Sequence, residues 1–333
     1  MTLKKTTALL CCLAAITAAA AALPQRDTAA GNSVAVSPLR VGIMPDVNSL
    51  PLMIARDEGF FAEQGVTVEL VIFQNSQERD AAIQAGQLDG AVSDLLAAAF
   101  LTAGGFDMKV TSCTDGRFGV VGSARLNINT LADLRAKRVG LSTNTIIQYI
   151  VDTHLESAGV ARTEYEPVSV PRMPLRLEMI RTGQIEAAGL PEPLLTAAVE
   201  QGGVLLSTTD GSAVLGTAGR GTTVPIDAGV LLFSKKTLDS RLSDVQRFYR
   251  AYTRAADRIN ANPDAYRDYL VEKAAFPAAV KNAYRFVIYR KPTLPAAAQI
   301  ERVLVWLKTR RLLDAVLTPA DLVDSRAIAE WSR

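Results

Sequence analysis

Apolar and polar positions fall along this chain in blocks that repeat. The clearest block runs from Arg40 to Leu70, RVGIMPDVNSLPLMIARDEGFFAEQGVTVEL. Val41 to Met44 is a short apolar run closed by Pro45 and Asp46, the pattern of a buried strand that ends in a loop. Asn48 or Ser49 then suits the cap of a helix with Pro51 in its early turn and Leu52, Ala55 and Phe60 or Phe61 on its apolar side. Gly65 stops that helix, and alternation from Val66 to Ile72 predicts the next strand.

A second block has the same order. Lys137 to Leu141 predicts a strand, Ser142-Thr143-Asn144-Thr145 a polar loop, and the run to about Ser157 a helix that Gly159 stops. Each block has an echo downstream: AIQAGQLDGA from Ala82 is matched by MIRTGQIEAA from Met179. Gly42 and Gly86 lie about 44 positions apart and Gly140 and Gly183 about 43, so the register is nearly kept. Two similar α/β units facing each other are the simplest organisation that gives such a pattern.

Between and beyond the blocks the pattern is coarser. Strands are predicted at Leu88–Val92, Met108–Ser112 and Phe118–Ser123, with Gly116 turning between the last two. Ser76 suits the cap of the helix before Gly86, and Thr130 with Asp133 that of a helix leading to the second unit. Strands follow at Thr163–Ser169, Ala187–Leu190 and Val204–Ser207. Gly211 to Gly221 is Gly- and Thr-rich and reads as a surface loop, since it holds no GxxxxGK[ST]. Gly229 to Phe233 reads as a buried strand returning to the first unit. The remainder is helical. Ser243 to Asn260 carries Val245, Phe248, Tyr249, Tyr252 and Ile259 at core spacing, and further helices start near Pro263, Pro277, Pro295 and Pro319.

Composition adds an address. Lys4 and Lys5 precede an apolar run from Leu9 to Ala22 that ends in alanines, the layout of an export signal and too short for a membrane span. Leu10 before Cys11 does not suit lipidation, so a soluble exported protein with its signal removed is expected, the lipid-anchored form being the minor reading. Cys11 and Cys12 fall in this segment. Cys113 is then alone in the mature chain, without an intramolecular disulfide partner, and reads as a small packed residue. The 36 Lys and Arg nearly balance the 34 Asp and Glu. They are scattered, without a basic block, so no nucleic-acid partner is expected.

Catalytic signatures are missing. The one histidine, His154, lies mid-helix, and no HExxH, CxxC, GxSxG or GxGxxG occurs. No metal, cofactor or catalytic residue is expected, and the protein is not expected to be an enzyme. The positive signal is positional, because ligands of open α/β sheets bind beyond the carboxyl ends of the strands. Those ends carry Asp46, Asn48, Ser49 and Leu50; Ser93 and Asp94; Ser142, Thr143, Asn144 and Thr145; and Glu192, with Asp227 at the return crossover. Singly, Asn48, Ser49, Thr143 and Asp94 suit helix capping equally well. Together, polar loops converging on one cleft predict a ligand site.

The Arg40–Leu70 run, AAIQAGQLDGAVSD, NTLADLRAKRVGLSTNT and IRTGQIEAAGLPEP resemble the nitrate/sulfonate/taurine and thiamine-pyrimidine family of periplasmic solute-binding proteins that serve ABC importers. The likeness runs from about Leu39 to Val316. It implies a type II periplasmic-binding-protein fold: two Rossmann-like α/β lobes joined by a two-strand hinge. After a signal peptide and leader over residues 1–30, lobe 1 would be 39–124 plus 227–333, with lobe 2, 125–226, inserted. It also implies a monomer in the periplasm that closes around a small solute and passes it to an ABC permease and its ATPase. The expected loops hold Asp46, Asp94, Glu192 and Asp227 and no Lys or Arg. Like-charge repulsion therefore favours a neutral or cationic solute, nitrogenous or aminopyrimidine-like, over a sulfonate. Arg117, Arg172 and Arg220 are the residues that would spoil this argument by reaching the cleft. Two competing readings remain: an enzyme on the same scaffold, of the pyrimidine-precursor or menaquinone-pathway type, and a receptor subunit for a membrane kinase.

Overall fold

The computed structural model describes residues 37–210, 222–223 and 225–331. The expected export segment and the Gly- and Thr-rich stretch with Arg220 lie outside the described residues. The described strands are β1 (Leu39–Ile43), β2 (Val68–Ile72), β3 (Gly90–Asp94), β4 (Met108–Thr114), β5 (Phe118–Gly122), β6 (Arg138–Leu141), β7 (Glu166–Ser169), β8 (Ala187–Pro191), β9 (Val204–Thr208), β10 (Thr222–Thr223) and β11 (Gly229–Ser234). They form two mixed sheets. The first has the order β2-β1-β3-β11-β4, and the second β10-β9-β5-β8-β6-β7. In the first, β1 runs parallel to β2 and β3, and β11 runs against β3 and β4. In the second, β6 runs parallel to β7 and β8, and β5 runs against β8 and β9.

β5 corrects the expected division of the chain. The sequence reading put Phe118–Gly122 in the first lobe, within 39–124, and joined it to β4 by a turn at Gly116. Instead β5 pairs with β8 from Phe118↔Pro191 to Gly122↔Ala187. It fills in the second sheet the antiparallel slot that β11 fills in the first. The chain therefore crosses at about residues 115–117, before β5, and returns between β9 and β11. Each sheet takes in one strand from a crossover.

The helices are α1 (Leu50–Asp57), α2 (Phe60–Glu63), α3 (Ser76–Gln84), α4 (Leu95–Ala103), α5 (Ile146–Ser157), α6 (Met173–Arg181), α7 (Leu194–Glu200), α8 (Lys235–Ser240), α9 (Leu242–Ala261), α10 (Arg267–Glu272), α11 (Ala297–Thr309) and α12 (Pro319–Leu322). The single helix expected after β1 breaks at Gly59, whose φ of 79° only glycine takes readily. Phe60 and Phe61 thereby start a second short helix and both are buried. α9 has the amphipathic stripe its spacing predicts. Phe248 stacks on Phe61 at 5.4 Å and meets Phe233 of β11 edge-on at 5.3 Å, which fastens α9 to the first sheet. On the other side α11 packs on α4 and reaches α5 of the second unit, where Trp306 meets Tyr149 edge-to-face at 5.7 Å. The helix expected after Thr130 is a single 3-10 turn, Leu131–Leu134, with the Thr130–Asp133 capping box in place.

Candidate functional site

The carboxyl ends of the parallel strands of both sheets open on one cleft. Its first wall is built by the β1–α1 loop with Asp46 and Asn48, by the end of β3 with Ser93 and Asp94, and by α3 with Ser76 and Arg79. Its second wall is built by Ser142 and Thr145 ahead of α5, by Pro171 and Met173 at the start of α6, and by Pro191 at the end of β8. Phe118 and Ala228, one from each crossover, close the base. The space enclosed is about 60 Å³, against the roughly 300–1,000 Å³ of ordinary ligand pockets. In this conformation the two walls stand close together.

The first wall is polar and dry. Asp46 is 4% exposed, and its Oδ1 accepts from the backbone N–H and the hydroxyl of Ser49 at 3.2 and 3.3 Å. Burial pushes its carboxyl up to about 6, against those hydrogen bonds. Asn48 accepts from the Thr114 hydroxyl at 3.0 Å, which holds it over the first crossover. Ser93 is buried, and its hydroxyl makes no hydrogen bond among the described residues. Asp94 caps α4, accepting from the Ala97 N–H at 2.9 Å, and burial raises its carboxyl also, with Arg79 pulling the other way. In the second wall Thr145 caps α5 through the Ile147 N–H at 3.2 Å. The Ser142 hydroxyl accepts from Nη2 of Arg176 at 2.5 Å.

The other expected site residues lie elsewhere. Leu50, the first residue of α1, is fully buried in the apolar core of the first unit. Thr143 bonds Ser169 at the rim, and Asn144 is exposed with φ of 57°, its N–H donating to Gln148. Glu192 is fully buried. It accepts from Arg117 at 3.1 Å and from the Thr196 N–H and hydroxyl at 3.0 and 2.9 Å, so it holds α7 to β5. Asp227 pairs with Arg290 at 3.0 Å beside a second space of about 550 Å³ along the crossovers. The charges there bind one another: Arg290 with Asp115 at 2.5 Å, Arg117 with Asp210 at 2.9 Å. Arg117 is thus held by Glu192 and Asp210, and Arg172 precedes α6 at its start.

Arg79 is the residue sequence reasoning missed, and it overturns the premise that the cleft has no cation. It is 1% exposed, donates to the Val92 carbonyl at 3.1 Å and pairs with Asp80 at 2.8 Å. A signal for it existed. The Gly86–Gly183 register of 97 positions (183 less 86), carried upstream, sets Arg79 opposite Arg176. The buried histidine and cysteine are packing residues. His154 bonds the Ser207 hydroxyl at 2.6 Å inside the second unit, and burial pushes the Cys113 thiol up to about 12.

Two α/β sheets, crossed between twice and meeting at the carboxyl ends of their strands, make the periplasmic-binding-protein fold. The chain belongs to the NMT1/THI5-like family, whose model matches residues 46–266. The alkanesulfonate-binding protein SsuA from Xanthomonas axonopodis pv. citri, bound to MOPS, is 18% identical with a TM-score of 0.69, over 86% of this chain and 97% of its own. The periplasmic nitrate-binding protein NrtA from Synechocystis PCC 6803 is 15% identical with a TM-score of 0.68, over 89% of this chain and 88% of its own. The desulfurization enzyme DszB is 16% identical with a TM-score of 0.59, over 88% of this chain and 99% of its own. At these identities the likeness is one of fold. No curated protein sequence matches the chain.

Proposed function

We propose that this protein is the extracytoplasmic solute-binding protein of an ABC importer. It captures one small polar solute between its two walls by hinge closure and delivers it to a membrane permease. The observation that carries this reading is the cleft itself. Asp46 and Ser93 are buried there, the one without a cationic partner and the other without a hydrogen bond among the described residues, and both face a space that a compact solute fills. Leaving buried polar groups so costs about 1–3 kcal/mol each, and a bound solute removes that cost.

A nitrogenous solute with N–H donors suits the Asp46 carboxylate and the Ser93 hydroxyl. Arg79 does not reverse that preference, because Asp80 and Asp94 flank it. A sulfonate remains the contrasting case. The enzyme reading has one support, the desulfurization enzyme on this fold. Against it, Cys113 and His154, the thiol and imidazole among the described residues, are buried in packing, away from the cleft residues. Native mass spectrometry of the protein from its host, before and after unfolding and refolding, tests the proposal. A nitrogenous solute mass that disappears on refolding is expected. A retained sulfonate without an amine overturns the ligand preference, steady conversion of the solute revives the enzyme reading, and unchanged solute uptake in a deletion strain that loses a signalling response favours the receptor reading.

A further inference from the structure

The two units repeat with a register in which α3 and α6 coincide, Ser76 with Met173 at one end and Gln84 with Arg181 at the other. The fourth residue of each is a buried arginine. Arg79 donates through Nη1 to Val92 O at 3.1 Å, and Arg176 through Nη1 to Gly189 O at 2.6 Å, the matching carbonyl in the matching strand. The arginines differ in what surrounds them. Arg79 has Asp80 beside it and Asp94 at the strand end. The register sets Leu177 and Pro191 at those places in the second unit. Arg176 is fully buried, and among the described residues no carboxylate lies within ion-pair distance of it. Its remaining N–H groups donate to Val170 O at 3.1 and 2.8 Å and to the Ser142 hydroxyl at 2.5 Å. Burial alone lowers its guanidinium to about 9, and even so it is charged at neutral pH.

We infer that the cleft is electrically divided and selects a dipolar solute: a cationic amine held by the Asp46 side, and an anionic or strongly accepting end held by the Ser142 hydroxyl, which Arg176 orients from behind. This inference rests on the solute-capture reading above. A hydroxyl oxygen that accepts from a guanidinium turns its own proton the other way, and Ser142 lines the cleft. The unbalanced charge behind it favours an anionic group in front at short range in a dry site. The amino-terminal end of α5, whose Ile146 and Ile147 line the same wall, adds a positive dipole end. On the opposite wall Asp46 and Asp94 carry the other sign, and the unpartnered Ser93 hydroxyl serves either end. Arg176 is a positioning residue in this scheme; Ser142 is the residue that touches the solute.

Three probes of three carbons each, differing only at their ends, test it: β-alanine, propionate and propylammonium, titrated calorimetrically into the purified protein at pH 7.5. β-Alanine is expected to bind at least tenfold more tightly than either single-ended probe. Ser142→Ala is expected to remove about tenfold of its advantage over propylammonium, and Ser142→Thr to keep it. Arg176→Met is expected to act as Ser142→Ala does, and Ser142→Ala decides the matter where that variant fails to fold, since the bonds to Val170 O and Gly189 O stay in place. Equal binding of β-alanine and propylammonium, or an advantage untouched by Ser142→Ala, overturns the division of the cleft. So does absence of binding by all three. Native mass spectrometry of the same preparation separates these failures from that of solute capture: a retained solute with one pole leaves capture standing, and no retained solute together with no probe binding removes both.

Discussion

Asp46 gives up its water without gaining a cation among the described residues, and burial outweighs the hydrogen bonds from Asn48 and Ser49. Its carboxyl stands near 6 in the folded protein against an ordinary 3.8. A raised acid contributes stability that is fully present below its unfolded value and lost as pH rises through its folded one, here between about 4 and 6. At roughly 1.4 kcal/mol per unit the loss is on the order of 2–3 kcal/mol. Asp46→Asn is therefore expected to raise the melting temperature of the solute-free protein above pH 6, with little change near pH 4, and to weaken solute binding. An unchanged profile of melting temperature against pH would show that the carboxyl is not strained. Asp94 and Asn144, expected alike from the sequence, part company here. Asp94→Ala removes the α4 cap as well as a cleft group, so both apo stability, by about 1 kcal/mol, and affinity are expected to fall. Asn144→Ala, at an exposed left-handed position, is expected to leave affinity unchanged in a titration. The residue types at the strand ends were legible in the chain. Which of them lose their water was not, since burial is set by the facing wall.

At the scale of elements, periodicity and glycine placement did most of the work. Gly65, Gly86 and Gly159 all have positive φ and all end a helix where the spacing predicts, and Gly183, their match in the repeat, follows α6 in the same way. Long-range placement was legible for β11, which returns to the first sheet as its position predicts, and not for β5. Nothing in Phe118–Gly122 says that it joins β8, some 70 positions on, because a strand flanked on both edges reads the same in either sheet. Glu192 shows the same limit. At the end of β8 it resembled a ligand group, yet it binds Arg117 across the crossover and the first turn of α7. Removing one partner of a buried ion pair costs about 3–5 kcal/mol. Glu192→Ala is thus expected to lower the melting temperature sharply while the folded fraction keeps its affinity. A stable variant that has lost binding would return Glu192 to the cleft.

At the scale of the molecule the two units touch away from the cleft as well. Arg310, just past α11, pairs with the buried Asp152 of α5 at 2.6 Å, next to the Trp306–Tyr149 contact. These contacts tie α11 and the residue after it to α5 of the other unit, so they hold the walls together. Arg310→Met leaves Asp152 with Tyr165 and, at 3.7 Å, Arg162. It is expected to enlarge the radius of gyration of the solute-free protein in X-ray scattering, with the solute-bound value unchanged, as for a hinge equilibrium shifted toward open. An unchanged apo radius would show that the contact does not restrain the hinge. By itself the sequence determined the strand and helix order, the helix ends and the twofold repetition, because these depend on side chains within a few positions of one another. It also determined which loops lie at the carboxyl ends of strands, and so where a ligand site belongs. Only the tertiary structure decided that β5 joins the second sheet, that Arg79 and Arg176 lie behind opposite walls with and without countercharges, and which acids face the cleft. Those outcomes turn on charge balance and burial between segments tens of positions apart, which no local pattern carries.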